Sequence, residues 1–367
     1  MMEKLKELVN ISNFYGKNPE FVIAGGGNTS FKNNDHLWIK ASGTSLATIT
    51  EEGFAKLDRD CLETISTKNY SKDPFIRESE VKDDLYHCTE NKSKRPSVET
   101  SLHNLIDFSF VVHTHPTLIN GLMCSKNARE ETKSLFGDNA LFIEYSDPGY
   151  TLFKLVEQRV KEYKERFNQE PKIIFLANHG VFVSSGSTGE IKEMYTEISN
   201  KIRAKLRQEM PSFTLTDHKL SGYINTLATK TGLYAKGFNS NLIQHFVDHS
   251  ASFEKVNTAF TPDNIVYCKA HYLFIECDPD KIMEEYCHFE KEFSFPPRVI
   301  GVKGKGIICM EEDEKSVNTV YEMYQDILKV SFLTESFGGP KFLSKEQIEF
   351  IDTWEVENYR RKIAKQG

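Results

Sequence analysis

Short apolar runs punctuate this 367-residue chain, and amphipathic stretches with helical spacing separate them. Residues 21–24, 37–40, 108–112, 141–145 and 172–176 have the apolar, β-branched character of strands, and 181–183 extends the last of these. Residues 3–16, 98–106, 152–167 and 191–209 have the spacing of helices, and Pro96-Ser97 supplies a helix start before Val98. Residues 46–57 are expected to form a loop and a helix. Residues 67–96, rich in Lys, Asp, Glu, Ser and Asn, are expected to be a solvated, loop-rich excursion. Strands alternating with helices confine the chain to the α/β or mixed α+β class.

The bulk numbers remove several functions. A net charge of −7, with no long Lys/Arg run, is unsuited to a nucleic-acid backbone, which demands a dense basic face. A local basic pocket for a small anion is compatible with it. No apolar run reaches the roughly 18 residues of a membrane span. The first ten residues mix Glu and Lys with Leu, as an amphipathic helix does and a signal peptide does not. The seven cysteines are scattered with no CxxC pair, which points to a reducing, cytoplasmic setting without a disulfide framework. Most are expected to act as small buried hydrophobes.

The length accommodates two or three domains. Residues 1–210 are expected to form one domain, 211–252 a polar connector with some helix, and 253–367 a second α/β domain. An internal similarity runs at an offset of about 126 residues. Pro171-Lys172-Ile173-Ile174 matches Pro297-Arg298-Val299-Ile300, Gly180 falls on Gly306, Val181 on Ile307 and Tyr195 on Tyr321, while His179 falls on Lys305. A genuine repeat would make the second domain a degenerate copy without that histidine.

Three histidines carry the chemical signal. His113 and His115 end an apolar run, and on an extended backbone residues i and i+2 share a face, so both imidazoles can reach one ion. A bare HxH pair is as readily two surface histidines. His179, at a glycine-bounded turn after another apolar run, shifts the balance, because three imidazoles leave a divalent ion an open position for substrate. Glu99, near the start of the helix that leads to His113, reads either as a helix-start carboxylate favoured by the dipole or as a general base. His103, one turn on, reads as a structural histidine. The loop Gly25-Gly26-Gly27-Asn28-Thr29-Ser30 offers glycine freedom and amide and hydroxyl donors for a phosphate, but it matches neither nucleotide-binding glycine pattern. Ser42, Gly43 and Ser97 are further phosphate candidates, and Lys32 and Lys40 could add charge.

Taken in order, Gly-Gly-Asn-Thr-Ser (26–30), Ala-Ser-Gly-Thr (41–44), Pro-Ser-Val-Glu-Thr (96–100), His-Thr-His-Pro (113–116) and Asn-His-Gly (178–180) resemble the class II aldolase/adducin-head family. Within it the phrases are most similar to the aldolase part of fused rhamnulose-1-phosphate aldolase/alcohol dehydrogenase proteins, and the likeness extends past residue 260. No dehydrogenase half is expected here. The resemblance implies a three-layer α/β/α fold with a Zn²⁺ (or other divalent) site. It places His113, His115 and His179 as ligands and Glu99 as catalytic acid/base. Gly27, Asn28, Thr29, Ser42, Gly43 and Ser97 would lie around a substrate phosphate. Residues 122–145 lack a clear match to the family's proton-donor tyrosine, and Tyr145 and Tyr150 are the stand-ins. The implied activity is retro-aldol cleavage of a ketose 1-phosphate like rhamnulose 1-phosphate. An epimerase, dehydratase or decarboxylase of a phosphorylated sugar is the alternative on the same scaffold, and a non-catalytic adducin-like scaffold is the alternative of another class. The implied partners are a small phosphorylated sugar and further copies of the chain, with no nucleic acid and no membrane.

Overall fold

The computed structural model describes residues 2–213, 220–276 and 278–354. They form two compact units: residues 2–123, 127–205 and 353–354, and residues 124–126 and 206–352. The second unit therefore begins well before residue 253, and a strand from the presumed connector belongs to its sheet.

The first unit opens with helix α1 (Met2–Gly16), whose Leu8, Ile11 and Tyr15 lie on one buried face. Strands β1 (Asn28–Lys32), β2 (His36–Lys40) and β3 (Phe54–Asp58) follow. Helix α2 (Arg59–Thr67) is capped by the Asp58 carboxylate, which accepts from the Cys61 amide. Helix α3 (Pro74–His87) is capped by Asp73 and has proline in its first turn. Then come α4 (Thr100–Leu105), β4 (Phe110–Thr114), α5 (Thr117–Met123), α6 (Ala128–Phe136), β5 (Leu141–Ile143), α7 (Tyr150–Phe167), β6 (Ile173–Leu176), β7 (Gly180–Ser185) and α8 (Thr188–Arg203).

Seven strands make one sheet in the order β3-β2-β1-β4-β7-β6-β5, and only the β5–β6 pair is parallel. On one face Leu102 and Ile106 at α4, and Leu152, Val156 and Val160 of α7, close over Val111, Ile174, Leu176 and Phe182. On the other lie α1, α5 and α8. Helices thus cover both faces, giving the expected α/β/α layering.

Several local expectations fail for identifiable reasons. Residues 21–24 form turns, with the Val22 amide on the Asn18 carbonyl and Ala24 at φ 50°, so the strand starts later, at Asn28. Residues 54–58 are a strand because Leu57 and Ala55 pair with β2 and pack in the core with Leu37 and Ile39. The stretch 67–96 holds α3, whose Val81 and Leu85 complete that core beneath a polar surface. After β6 the chain reverses at Asn178 (φ 53°), so 180–185 is a separate antiparallel strand. Cys61 and Cys88 form a disulfide, contrary to expectation, because α2 and α3 bring their Cα atoms to 5.5 Å across 27 residues of sequence. Cys124, Cys268 and Cys309 are buried thiols and Cys287 is exposed, while Cys277 lies outside the described residues.

The second unit contains α9 (Ser221–Thr231), β8 (Tyr234–Phe238), α10 (Asn241–Val247), α11 (Ser250–Phe253), α12 (Pro262–Cys268), β9 (Leu273–Ile275), α13 (Ile282–Phe293), β10 (Val299–Val302), β11 (Gly306–Glu311) and α14 (Glu314–Thr334). Its sheet runs β8-β11-β10-β9, with β9–β10 parallel and the other pairs antiparallel. Leu220, Leu227, Ile282, Tyr286 and Phe289 pack over Ile300, Val302 and Ile308. Among the described residues no helix is long and apolar enough to cross a membrane.

One buried cation in the first unit makes stability pH-dependent. The Lys32 ammonium donates to the His103 carbonyl at 2.7 Å. Burial, then the Arg59 charge, lower its pKa to about 7, against the opposing pull of Asp107 and Glu170. Because the folded pKa is depressed, the unfolded chain binds more protons between about 7 and 10.5, and this group's contribution to stability rises with pH across that window. Replacing Lys32 with Met should flatten that rise and raise stability at pH 6 by about 2 kcal/mol, the relieved desolvation being offset in part by the lost hydrogen bond. Denaturant unfolding at pH 6 and pH 9 checks it; a variant less stable than the parent at pH 6 would contradict it.

Candidate metal centre

Three neighbouring strands set the site. Their pairing register aligns Asn28 of β1 with His113 of β4, and His113 with Phe182 of β7. His113 and His115 share a face, as the extended backbone requires, with ring centroids 4.7 Å apart. His179 enters from the turn before β7, its ring centroid 5.0 Å from each of the other two. One ligand nitrogen from each imidazole falls within 4.8 Å of the others.

The surroundings prepare these rings for an ion. His113 Nδ1 lies 3.0 Å from the Val181 carbonyl, which can only accept, so Nδ1 carries a proton and Nε2 is the nitrogen that faces the cluster, able to offer its lone pair where an ion takes the place of the Nε2 proton. The Phe182 ring stacks on His113 at 4.1 Å and 18°, which fixes the imidazole plane. The Asn120 amide reaches the His179 carbonyl at 3.3 Å. Gly180 has to be glycine, since a Cβ there would stand 2.5 Å from the Thr114 carbonyl and 2.7 Å from the His115 ring.

Glu99 is the N-cap residue of α4 and is buried. Its Oε2 accepts from the Asn28 amide. Its Oε1 stands 3.2 Å from His113 Nε2 and 3.5 Å from His179 Nε2, yet is buried with no hydrogen-bond partner. Burial alone would raise this carboxyl. His113 first, then His179 and His115, outweigh it and hold the group well below the usual carboxylate range. Three convergent imidazole nitrogens, with a carboxylate oxygen close to two of them, form a set that could hold a divalent cation.

The other sequence candidates divide. Asn28 and Glu99 are joined directly. Ala41 bridges to Pro96, and the Ser42 amide donates to the Arg95 carbonyl at 2.9 Å, which brings the Ser42–Gly43 turn beside Ser97. Gly43 (φ 86°) and Gly27 (φ 69°) adopt the left-handed conformation. Lys40 ties these loops together, donating to the Gly25 and Thr44 carbonyls at 3.1 and 3.0 Å. The Thr29 hydroxyl instead meets Ser12 of α1 at 2.7 Å, on the opposite sheet face from Asn28. His103 has the structural role expected of it: Ser30 Oγ lies 2.7 Å from its Nδ1, and burial lowers its pKa to about 3. Tyr145 follows β5, two strands from β7, and burial together with the Asp147 carboxylate pushes its phenol above the usual range. Sequence reasoning overlooked the Asn28–Glu99 contact, the Phe182 stack and the Val181 carbonyl. All three depend on strand register, which leaves no local signal.

Residues 6–206 match the family described as Class II Aldolase and Adducin N-terminal domain. The chain belongs to that family. The class II aldolase match spans the whole three-histidine cluster and Glu99. A longer relative, the "Uncharacterized oxidoreductase YuxG" of Bacillus subtilis, is 24% identical over 419 aligned positions, which take in 98% of this chain and 58% of YuxG. The chain thus spans a little over half of that relative's length. Among solved structures, the N-terminal class II aldolase domain of a conserved protein from Thermoplasma acidophilum is similar at 26% identity, covering 55% of this chain and 92% of its own, with a TM-score of 0.46. An L-fuculose-1-phosphate aldolase from Thermus thermophilus is similar at 15% identity, covering 56% and 94%, with a TM-score of 0.36.

His179→Ala, purified without added metal, should retain its circular dichroism spectrum and lose at least about 90% of its bound divalent metal, since two imidazoles hold zinc far less tightly than three. Elemental analysis reads the result, and unchanged occupancy would place the third ligand elsewhere.

Proposed function

We propose that this class II aldolase family member is a metal-dependent lyase. Its reaction would be retro-aldol cleavage of a ketose 1-phosphate of the rhamnulose 1-phosphate kind to dihydroxyacetone phosphate and a small aldehyde such as lactaldehyde. The observation that carries the reading is Glu99, a buried carboxylate held by Asn28 with one oxygen 3.2 and 3.5 Å from two of three convergent imidazoles. The resemblance of the ordered motifs to those of rhamnulose-phosphate aldolases supplies the substrate class.

A divalent ion in this cluster, zinc or another, would supply Lewis-acid stabilisation of the negative charge that develops when the carbon–carbon bond beside a carbonyl breaks. His113, His115 and His179 would hold that ion. Glu99 moves the proton at the reacting carbon or its oxygen, and the Asn28 amide keeps the carboxylate in place. Gly27, Asn28, Ser42, Gly43 and Ser97 receive the phosphate, Lys40 fixing the spacing of their loops. Thr29 adds no hydroxyl there, being engaged by Ser12. Tyr145 donates the proton to the aldehyde oxygen in the reverse, addition direction, for which its raised pKa keeps the phenol protonated; in cleavage the proton leaves that hydroxyl by the same route. A cytoplasmic setting belongs to the proposal, because a sugar phosphate dianion does not cross a membrane unaided. The Cys61–Cys88 disulfide is the feature that argues the other way. Association with further copies of the chain is also part of the proposal.

The test is release of dihydroxyacetone phosphate from L-rhamnulose 1-phosphate, with and without chelator. Chelator-sensitive release is the expected outcome, with Glu99→Gln retaining metal and losing turnover by about 10²-fold or more. Metal retained without release would move the assignment to an epimerase, dehydratase or decarboxylase acting through the same carboxylate. Metal-free, inactive protein would favour a scaffold role.

A further inference from the structure

The two units repeat one another in detail. From β4 onward the first unit runs β4–α5–α6–β5–α7–β6–β7–α8, and from β8 the second runs β8–α10–α11–α12–β9–α13–β10–β11–α14, with α12 the one added helix. The strand orders β4-β7-β6-β5 and β8-β11-β10-β9 correspond, and in each the last pair is parallel and the others antiparallel. The starts of β6, β7 and α8, at residues 173, 180 and 188, become 299, 306 and 314 in β10, β11 and α14, which is 126 residues on in every case.

The finer features move by the same step. The left-handed residues Asn168 after α7 and Asn178 in the β6–β7 turn have counterparts in Ser294 and Gly304, with φ of 51°, 53°, 63° and 63° respectively. The capping residue Ser187 becomes Asp313. The buried positions Val156, Val160 and Tyr163 of α7 become Ile282, Tyr286 and Phe289 of α13. Such agreement in backbone handedness, capping and burial at one offset does not come from two unrelated sheets meeting the same packing rules.

The register then gives the fate of the metal centre. His113 pairs with Phe182, and the counterpart of Phe182, Ile308, pairs with Gly237, so Gly237 stands where His113 does. Two residues on, Asn239 stands for His115, and Lys305 for His179. Gly306 checks the superposition independently. A Cβ there would meet the Phe238 carbonyl at 2.5 Å and Asn239 at 3.3 Å, as one at Gly180 would meet Thr114 and His115. The same Cβ would lie 3.3 Å from Leu220, the residue before α9, where the first unit has Glu99 before α4.

We infer that the second unit is a duplicate of the metal-bearing part of the first, in which the ligand positions have become Gly237, Asn239 and Lys305 and the acid/base position Leu220. No imidazole or carboxylate remains at these four places. The Lys305 ammonium lies 5.8 Å from the centre of the Tyr223 ring. Among the described residues the three-histidine cluster is then the one place that holds a divalent ion, and the second unit keeps the scaffold without the chemistry. The inference rests on the three-histidine reading of the first unit.

The test counts Co²⁺ per full-length chain by elemental analysis and by the visible absorption of the bound ion. The parent protein should bind one, and so should Lys305→Ala. A variant carrying Gly237→His, Asn239→His and Lys305→His together should bind two. In the His179→Ala background the same three changes should bring the count back from near zero to one. A folded triple variant that still binds one ion overturns the inference. Should the triple variant not fold, Lys305→Ala decides: retention of one ion upholds the inference, and loss of the ion overturns it by showing that the second unit helps to hold it. A parent protein that binds none refutes the three-histidine reading instead.

Discussion

The alignment of Asn28, His113 and Phe182 across β1, β4 and β7 is the constraint on which the centre depends. A slip of one residue in either pairing would turn a side chain to the opposite sheet face. Asn28 would then leave Glu99, or Phe182 would leave the His113 ring. The hydrophobic layer of α4 and α7 enforces the register, because Val111 and Phe182 must face it together. The packing that stabilises the fold is thus also the packing that assembles the centre.

Electrostatics makes this arrangement demanding. His113 is fully buried and Glu99 nearly so, and burying charge is costly unless it is paired. The groups compensate each other in part: the imidazoles hold the Glu99 carboxyl ionised, and the Val181 carbonyl fixes the proton of His113. The remaining deficit, the unpartnered Glu99 Oε1, lies where a cation would be most stabilising. Lys32 shows the same physics with a different outcome, since its hydrogen bond is to a neutral carbonyl and the Asp107 and Glu170 charges do not outweigh burial and Arg59, so its proton is weakly held.

Comparison of the two units separates what the scaffold requires from what the chemistry requires. Left-handed turns, helix caps and buried apolar positions persist between them, because each is needed to close the sheet and cover it. The histidines and the carboxylate do not persist, because the fold stands without them. Gly237 and Leu220 in their places relieve the second unit of burying polar groups that would need an ion to satisfy them.

The spacing His113-x-His115 and the glycine after His179 were legible because strand parity and turn geometry are local properties, and the helix expected from Val98 is present but begins two residues later, at Thr100, with Glu99 as its N-cap. The 126-residue offset was legible for the same reason, as a repeat of local pattern. The helix α3 was missed because its polar surface conceals a narrow buried face, and the strand 54–58 because only pairing with β2 distinguishes it from a helix segment. The Cys61–Cys88 pair, the Asn28–Glu99 contact and the diversion of the Thr29 hydroxyl to Ser12 depend on residues 17 to 71 positions apart. By itself the sequence determined which residue types could serve a metal-dependent reaction and on which face of each strand they would lie. Only the tertiary structure decided which of them meet, because strand order and register are set by the burial of a whole sheet between its helices and not by any one segment.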